Sequence, residues 1–131
     1  KTTLASAIQI GDPVSRDKAI RELKKFNGIV EQASEEELAN ASAKYDRFGM
    51  FTCPHTGVAL AVMEKLAAQG KIEKNSDVVV VSTAHGLKFA DFKVRYHESQ
   101  LENIVSKYTN KPVELEADVE KVSKVLYERL K

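Results

Sequence analysis

The apolar positions change period several times along the chain, and each change marks an element. The densest run is Val78-Val79-Val80-Val81, preceded by Asp77 and followed by Ser82-Thr83-Ala84-His85-Gly86-Leu87-Lys88. Consecutive β-branched side chains suit pleated backbone. The lack of alternation predicts a strand covered on both faces, as at the centre of a parallel sheet. Ser6 to Ile10 alternates and stops at Gly11-Asp12-Pro13, which predicts another short strand. Ile29 to Ala33 predicts a further one, and Lys111 to Leu115 reads as extended. Between these segments the period becomes helical. Ala19, Ile20, Leu23 and Phe26 form the stripe of a helix that Ser15 can cap and that Gly28 can end in the left-handed conformation. Ser34-Glu35-Glu36-Glu37 reads as a capping box, with Leu38, Ala41, Tyr45 and Phe48 carrying the stripe up to Gly49. Pro54 suits the first turn of a helix reaching about Gln69. Val58, Ala61, Val62, Lys65 and Leu66 trace one of its faces, and Gly57, Ala59 and Ala61 keep its start narrow. Leu87 to His97 fits neither period, whereas Glu98 to Tyr108 reads as helix. Asp118 can cap a last helix with Val119, Val122, Val125, Leu126 and Leu130 on its buried side. The alternation of strands and helices predicts an α/β fold, a small, mostly parallel sheet with flanking helices joined by right-handed crossovers. No repeat or linker divides residues 1–131, which read as one segment.

Composition narrows the function classes. The chain has 131 residues, 43% hydrophobic and 30% charged, which suits a packed globular unit. A formal net charge of +1 supplies no broad attraction to nucleic acid or to an acidic membrane. Cys53 is the one cysteine, so no internal disulfide can form, which fits a reducing compartment. No apolar run approaches the ~18 residues of a membrane helix. The chain starts at Lys1-Thr2-Thr3-Leu4 rather than at methionine, as expected of a processed product or a piece of something longer.

Four constellations can carry chemistry. Ser82 and Thr83 are delivered to the carboxyl end of the valine segment, where open α/β sheets bind ligands; the alternative is an ordinary exit loop. Thr83-Ala84-His85-Gly86 can open a helix whose free amides attract a phosphate, or Gly86 can simply supply a positive φ. Cys53-Pro54-His55 places a thiol at a helix start beside an imidazole, an arrangement for an activated nucleophile or, with His85 and His97, for a metal; buried thiol and locally bonded rings are the plainer reading. Asp12-Pro13 with Ser15 is a rigid turn that can line a pocket or merely lead into a helix cap.

Four stretches, with Tyr96-His97 after the last, together resemble the threonine synthase family of pyridoxal-phosphate enzymes, its plant form most closely. They are Ala5-Ser6-Ala7-Ile8-Gln9-Ile10-Gly11-Asp12-Pro13-Val14-Ser15, Asn27-Gly28-Ile29-Val30-Glu31, Gly49-Met50-Phe51-Thr52-Cys53-Pro54-His55-Thr56-Gly57-Val58-Ala59-Leu60, and Val78 to Phe89. The motifs keep family order and spacing and weaken after about Gln100. The resemblance implies a tryptophan synthase β-like two-domain fold, of which residues 1–131 are a C-terminal segment of the catalytic domain. It implies conversion of O-phosphohomoserine and water to threonine and phosphate, a pyridoxal phosphate cofactor, a homodimer and a plastid location. The cofactor-bonding lysine, the asparagine at the ring oxygen, the glycine-rich phosphate loop and the S-adenosylmethionine site lie upstream in the family and have no counterpart here. The chain alone is therefore expected to be inactive, and its main partner is the rest of the polypeptide. Thr83 matches the family's hydroxyl residue at the pyridine nitrogen, with Ser82 the adjacent alternative. Ala7, Ile8 and the turn through Asp12 and Pro13 resemble the segment beside the cofactor ring. Cys53-Pro54-His55-Thr56 resembles the loop and helix start near it, and His85 is expected to line the same pocket. The other readings are a non-catalytic truncated relative serving as a binding or regulatory module, and an unrelated small α/β ligand-binding domain.

Overall fold

The computed structural model describes residues 2–130. Its regular elements are helical: α1 (Arg16–Lys25), α2 (Glu35–Asp46), α3 (Pro54–Ala68), α4 (Ala90–His97) and α5 (Val119–Arg129), with short 3-10 turns at Ser6–Ile8 and Gly86–Phe89.

The centre is an α2–α3 pair with α4 laid against it. In α2 the capping box forms as expected: the Glu37 N–H donates to Ser34 Oγ at 3.2 Å, and the Glu37 carboxylate accepts the Ser34 N–H at 2.7 Å. Three glutamates in the first turn also complement the helix dipole. The α2 sequence from Leu38 to Ala43 is buried all round, so this helix is enclosed rather than amphipathic. Gly57 lets α3 approach it, because a Cβ there would stand 2.5 Å from the Leu38 carbonyl oxygen. The buried face of α3 is consequently Thr56, Gly57, Leu60 and Ala61, rather than the Val58–Val62–Leu66 stripe that the period suggests. Leu38, Ala39 and Ala43 pack with Phe92, Tyr96 and Leu101, while Ala41, Leu60 and Ala61 form a second cluster that Val80 partly covers.

Buried polar groups tie these layers together. Asn40 Nδ2 donates to the carbonyls of Glu36 and Val105 at 3.0 Å each, and its Oδ1 accepts Tyr96 Oη at 2.7 Å and the Lys107 N–H at 2.9 Å. That fixes the 105–108 segment, which the sequence suggested as helix. Helix stops before it because Ser99 (φ 58°) closes α4 in the left-handed region, and Asn103 (φ 58°) breaks the chain again. Gln100 N–H bonds the Arg95 carbonyl at 2.7 Å across that stop, a Schellman-type end. The same device ends α1, where Asn27 (φ 51°), not Gly28, takes the left-handed position and Gly28 N–H reaches Leu23 at 2.7 Å.

No strand forms among the described residues, so the expected small parallel sheet is not formed among them. Ser6 to Ile10 closes instead into a 3-10 turn, with Ile8 N–H on the Ala5 carbonyl at 3.0 Å. Ile29–Ala33 and Lys111–Leu115 are irregular. Val79 is 90% exposed and Val81 73%, against the expected double cover. The physical reason is that a strand's backbone groups need a neighbouring strand, and none lies alongside among these residues. The outer helices show the same lack of cover. Neither α1 nor α5 has a buried residue. Ile20, Phe26, Val119, Val122, Leu126 and Leu130 remain exposed where an inner face was expected, and Phe48 is exposed beyond the end of α2. Ser15 precedes α1 without a side-chain cap bond, whereas Asp118 caps α5 through the Lys121 N–H at 2.9 Å.

Candidate active site

The start of α3 gathers the chemistry. Cys53 is its N-cap: its backbone is extended, Pro54 fills the first helical position, and the Thr56 N–H points at Cys53 Sγ at 3.4 Å. Thr56 Oγ1 lies 3.2 Å from the same sulfur. From the valine segment, Thr83 Oγ1 lies 3.8 Å from Cys53 Sγ and Ser82 Oγ 3.3 Å from Thr56 Oγ1. Ser82, Thr56, Cys53 and Thr83 thus form one continuous line of hydrogen-bonding side chains. Its inner pair, Cys53 and Thr56, is buried, and its outer pair, Ser82 and Thr83, is exposed.

A single antiparallel bridge between Thr52 and His85 holds the two segments in register. Gly86 N–H donates to the Phe51 carbonyl at 2.8 Å. Phe51 takes φ 40° to present that carbonyl, a strained value for a bulky residue. Gly86 is required by this close approach and not by a positive φ: a Cβ would meet the Phe51 ring and its carbonyl oxygen at 2.9 Å. A phosphate cradle at residues 83–86 does not form, because the Gly86 N–H is taken by Phe51 and the Leu87 N–H donates to His85 Nδ1 at 3.3 Å.

Beneath the bridge lies a buried ion pair that the sequence reading missed. Lys93, only 5% exposed, donates to Asp46 Oδ2 at 2.5 Å and to Ser42 Oγ at 2.7 Å. Asp46 Oδ1 accepts the Thr52 N–H at 2.8 Å, and Ser42 Oγ lies 3.0 Å from Thr52 Oγ1. The Lys93 ammonium also sits over the Phe51 ring, 5.1 Å from its centroid. Burial pushes this lysine below its ordinary range, and Asp46 opposes the shift. A signal existed: Phe89, Phe92, Lys93 and Tyr96 share one helical face, which puts a lysine among aromatics.

Other expected residues are drawn in unequally. Ala7 N–H donates to His55 Nε2 at 2.9 Å, bringing the first segment to the start of α3. Pro54 is buried in the first turn, while Ile8 is exposed. Asp12 is joined to Arg16 at 3.2 Å on the surface, and no hydrogen bond among the described residues links Asp12 or Pro13 to the hydroxyls of Ser82 and Thr83. His85 packs against Phe51, with ring centroids 5.5 Å apart, and His97 Nδ1 accepts the Asn110 N–H at 3.0 Å. A cleft of about 600 Å³ lies elsewhere, lined by Asn40, Lys44, Glu64, Lys65, Lys107 and Tyr108, and holds none of the expected site residues.

Burial alone raises the Cys53 thiol. Hydrogen bonds from the Thr56 side chain and backbone, from His55 and from Thr83 outweigh it and bring the group down to about 6. The arrangement therefore offers an exposed pair of neutral hydroxyls backed by an acidified thiol. The nearby carboxylate of Asp46 is engaged with Lys93 and Thr52, so it is not free to serve a ligand. Neutral donors of this kind suit an aromatic ring nitrogen, which a hydroxyl can meet either by donating or by accepting.

Residues 1–84 match the family described as Pyridoxal-phosphate dependent enzyme. The chain belongs to that family, whose cofactor is pyridoxal phosphate and whose fold is tryptophan synthase β-like. Among curated relatives it is 55% identical over 130 residues to threonine synthase 2, chloroplastic, of Arabidopsis thaliana, covering 99% of this chain and 25% of that protein. It is 30% identical over 127 residues to the threonine synthase of Methanocaldococcus jannaschii, covering 96% of this chain and 28% of that one. The chain thus spans about a quarter of the length of these relatives.

Proposed function

We propose that this chain is the C-terminal segment of the catalytic domain of a threonine synthase, which converts O-phosphohomoserine and water to threonine and phosphate. The observation that carries this reading is the exposed Ser82–Thr83 pair fixed over Cys53 and Thr56, in a chain 55% identical to a plant threonine synthase. Thr83 is the partner of the cofactor's ring nitrogen, and Ser82 is held beside it by Thr56. Ala7, placed by His55, lines the floor next to the ring, with Ile8 exposed on the same turn. Pyridoxal phosphate, when bound, supplies an electron sink for carbanions of the amino-acid substrate. A hydroxyl partner leaves the ring nitrogen free of the full charge that a carboxylate would impose, so it moderates that sink. The lysine that bonds the cofactor and its phosphate loop are expected from the rest of the polypeptide, as are the neighbours of the exposed valines. A homodimer and a plastid location, the latter suggested by the Arabidopsis relative, belong to the same reading.

The test supplies the remaining polypeptide to this chain and measures phosphate release from O-phosphohomoserine. Release that needs both parts supports the reading. A folded, cofactor-bound assembly that releases no phosphate contradicts it and favours a non-catalytic binding module.

A further inference from the structure

Lys93 and Asp46 have no place in the chemistry described so far, yet their ion pair lies beneath the Thr52–His85 bridge. Asp46 Oδ1 accepts the Thr52 N–H at 2.8 Å, while Oδ2 accepts from Lys93 Nζ at 2.5 Å. Lys93 Nζ also donates to Ser42 Oγ at 2.7 Å. The Ser42 hydrogen is left for Thr52, whose carbonyl oxygen stands 3.2 Å away and whose hydroxyl stands 3.0 Å away. The ammonium faces the Phe51 ring, 5.1 Å from its centroid. The Lys93 stem fills the space that a side chain at Gly86 would need, since a Cβ there would stand 3.0 Å from Lys93 Cε. One buried pair therefore meets Phe51, Thr52 and Gly86, on both of the bridged segments. Phe51 at φ 40° holds a conformation that persists only where its surroundings over-determine it. A buried ion pair adds little net stability over a well-packed apolar pair, so the fold alone does not call for charges here. What the charges supply is direction, through fixed donors and acceptors.

We propose that Lys93 and Asp46 are positioning residues: their ion pair clamps Phe51 and Thr52 in the backbone geometry that presents the Phe51 carbonyl to the Gly86 N–H, and so holds Ser82 and Thr83 over the start of α3. The path is short. Gly86 N–H bonds the Phe51 carbonyl at 2.8 Å, and His85 bridges Thr52. Ser82 and Thr83 lie just before His85 on one segment, and their hydroxyls meet Thr56 and Cys53, just past Thr52 on the other. Without the clamp the strained Phe51 relaxes, the Gly86 bond weakens and the two hydroxyls lose their fixed place. The inference rests on the reading that Thr83 meets the cofactor's ring nitrogen. A displaced Thr83 then slows turnover and leaves substrate binding to other residues.

The experiment uses the full polypeptide that contains this chain. Lys93→Met/Asp46→Leu replaces both charges with apolar groups, leaves no uncompensated buried charge and preserves the fold. In the cofactor-free protein its Gly86 amide exchanges hydrogen about tenfold faster than in wild type, while the Leu60 amide within α3 keeps its rate. In the holoenzyme kcat for O-phosphohomoserine falls roughly ten- to hundredfold with KM little changed. A folded double variant with wild-type Gly86 exchange overturns the proposal. So does fast Gly86 exchange with wild-type kcat, in an enzyme that Thr83→Val impairs. Phe51→Leu leaves the ion pair in place and removes the ring beneath the ammonium, so it tests the clamp even where the double variant does not fold. It speeds Gly86 exchange in the same sense, and a wild-type rate there contradicts the clamp. Full activity in Thr83→Val removes Thr83 from the nitrogen, whereas Gly86 exchange reports on the clamp alone, which separates failure of that reading from failure of this inference.

Discussion

The α2–α3–α4 centre and the valine segment are both rich in apolar residues, yet one is buried and the other is not. Leu38 is 1% exposed and Val79 is 90%. The difference lies in where partners come from. Helices satisfy their own backbone and bury a face against one neighbour, and α2, α3 and α4 find each other within the chain. A central strand needs neighbours on both edges and cover on both faces; among the described residues no strand lies beside this run, and of its four valines Val80 alone packs against the core. The apolar density of the valine run is what the proposed reading, with further polypeptide covering it, requires; the chain spans about a quarter of the length of its relatives.

The largest effect that sharpens this contrast lies in the buried ion pair. Asp46→Ala leaves the Lys93 ammonium buried without its counter-charge and lowers stability by about 3–5 kcal/mol in denaturant unfolding. Leu38→Ala opens a cavity between α2 and α4 and costs about 2–5 kcal/mol. Gly57→Ala forces a Cβ against the Leu38 carbonyl, separates α2 from α3 and costs about 1–3 kcal/mol. Val79→Ser, in contrast, changes the stability of this chain by less than about 0.5 kcal/mol. In the full polypeptide the same substitution destabilises measurably; equal, small effects in both settings would break the comparison.

The thiol adds a pH signature. Cys53 falls from its ordinary 9.0 to about 6 in the folded state, so folding favours the thiolate. The resulting stabilisation is fully present above pH 9, declines as pH falls and is gone below about 6. Unfolding measured against pH shows the gap between wild type and Cys53→Ser widening from pH 6 upward, and a gap that is flat with pH contradicts the shift.

Local signals in the sequence located the starts of α2, α3 and α5. The Ser34–Glu37 box, Pro54 at the start of α3 and the Asp118 cap each act within one turn, so four residues suffice to read them. Strands were overread because the valines report an environment rather than a local preference. Val78 to Val81 has the composition of a covered strand whether or not its neighbours are in the same chain. Residues 87–97, which fit neither period, hold α4, and 98–108, read as helix, are irregular, because Ser99 carries no glycine-like signal for its left-handed turn. In the site, the motif order pointed to Cys53, Ser82 and Thr83, and these do converge. Asp12 pairs with Arg16, and no hydrogen bond among the described residues links Asp12 or Pro13 to them. The Lys93–Asp46–Ser42 network beneath the bridge was hidden because it links α2 and α4 across 47 residues.

The most direct measurement is turnover of O-phosphohomoserine by the full polypeptide carrying Thr83→Val or Thr83→Ser. Losing a buried hydrogen bond to the cofactor costs about 1–3 kcal/mol, roughly a ten- to hundredfold drop for valine. Serine, which keeps the hydroxyl, retains most of the rate. Full activity in the valine variant, with its cofactor absorbance unchanged, would show that the hydroxyl above Cys53 plays no part in the chemistry.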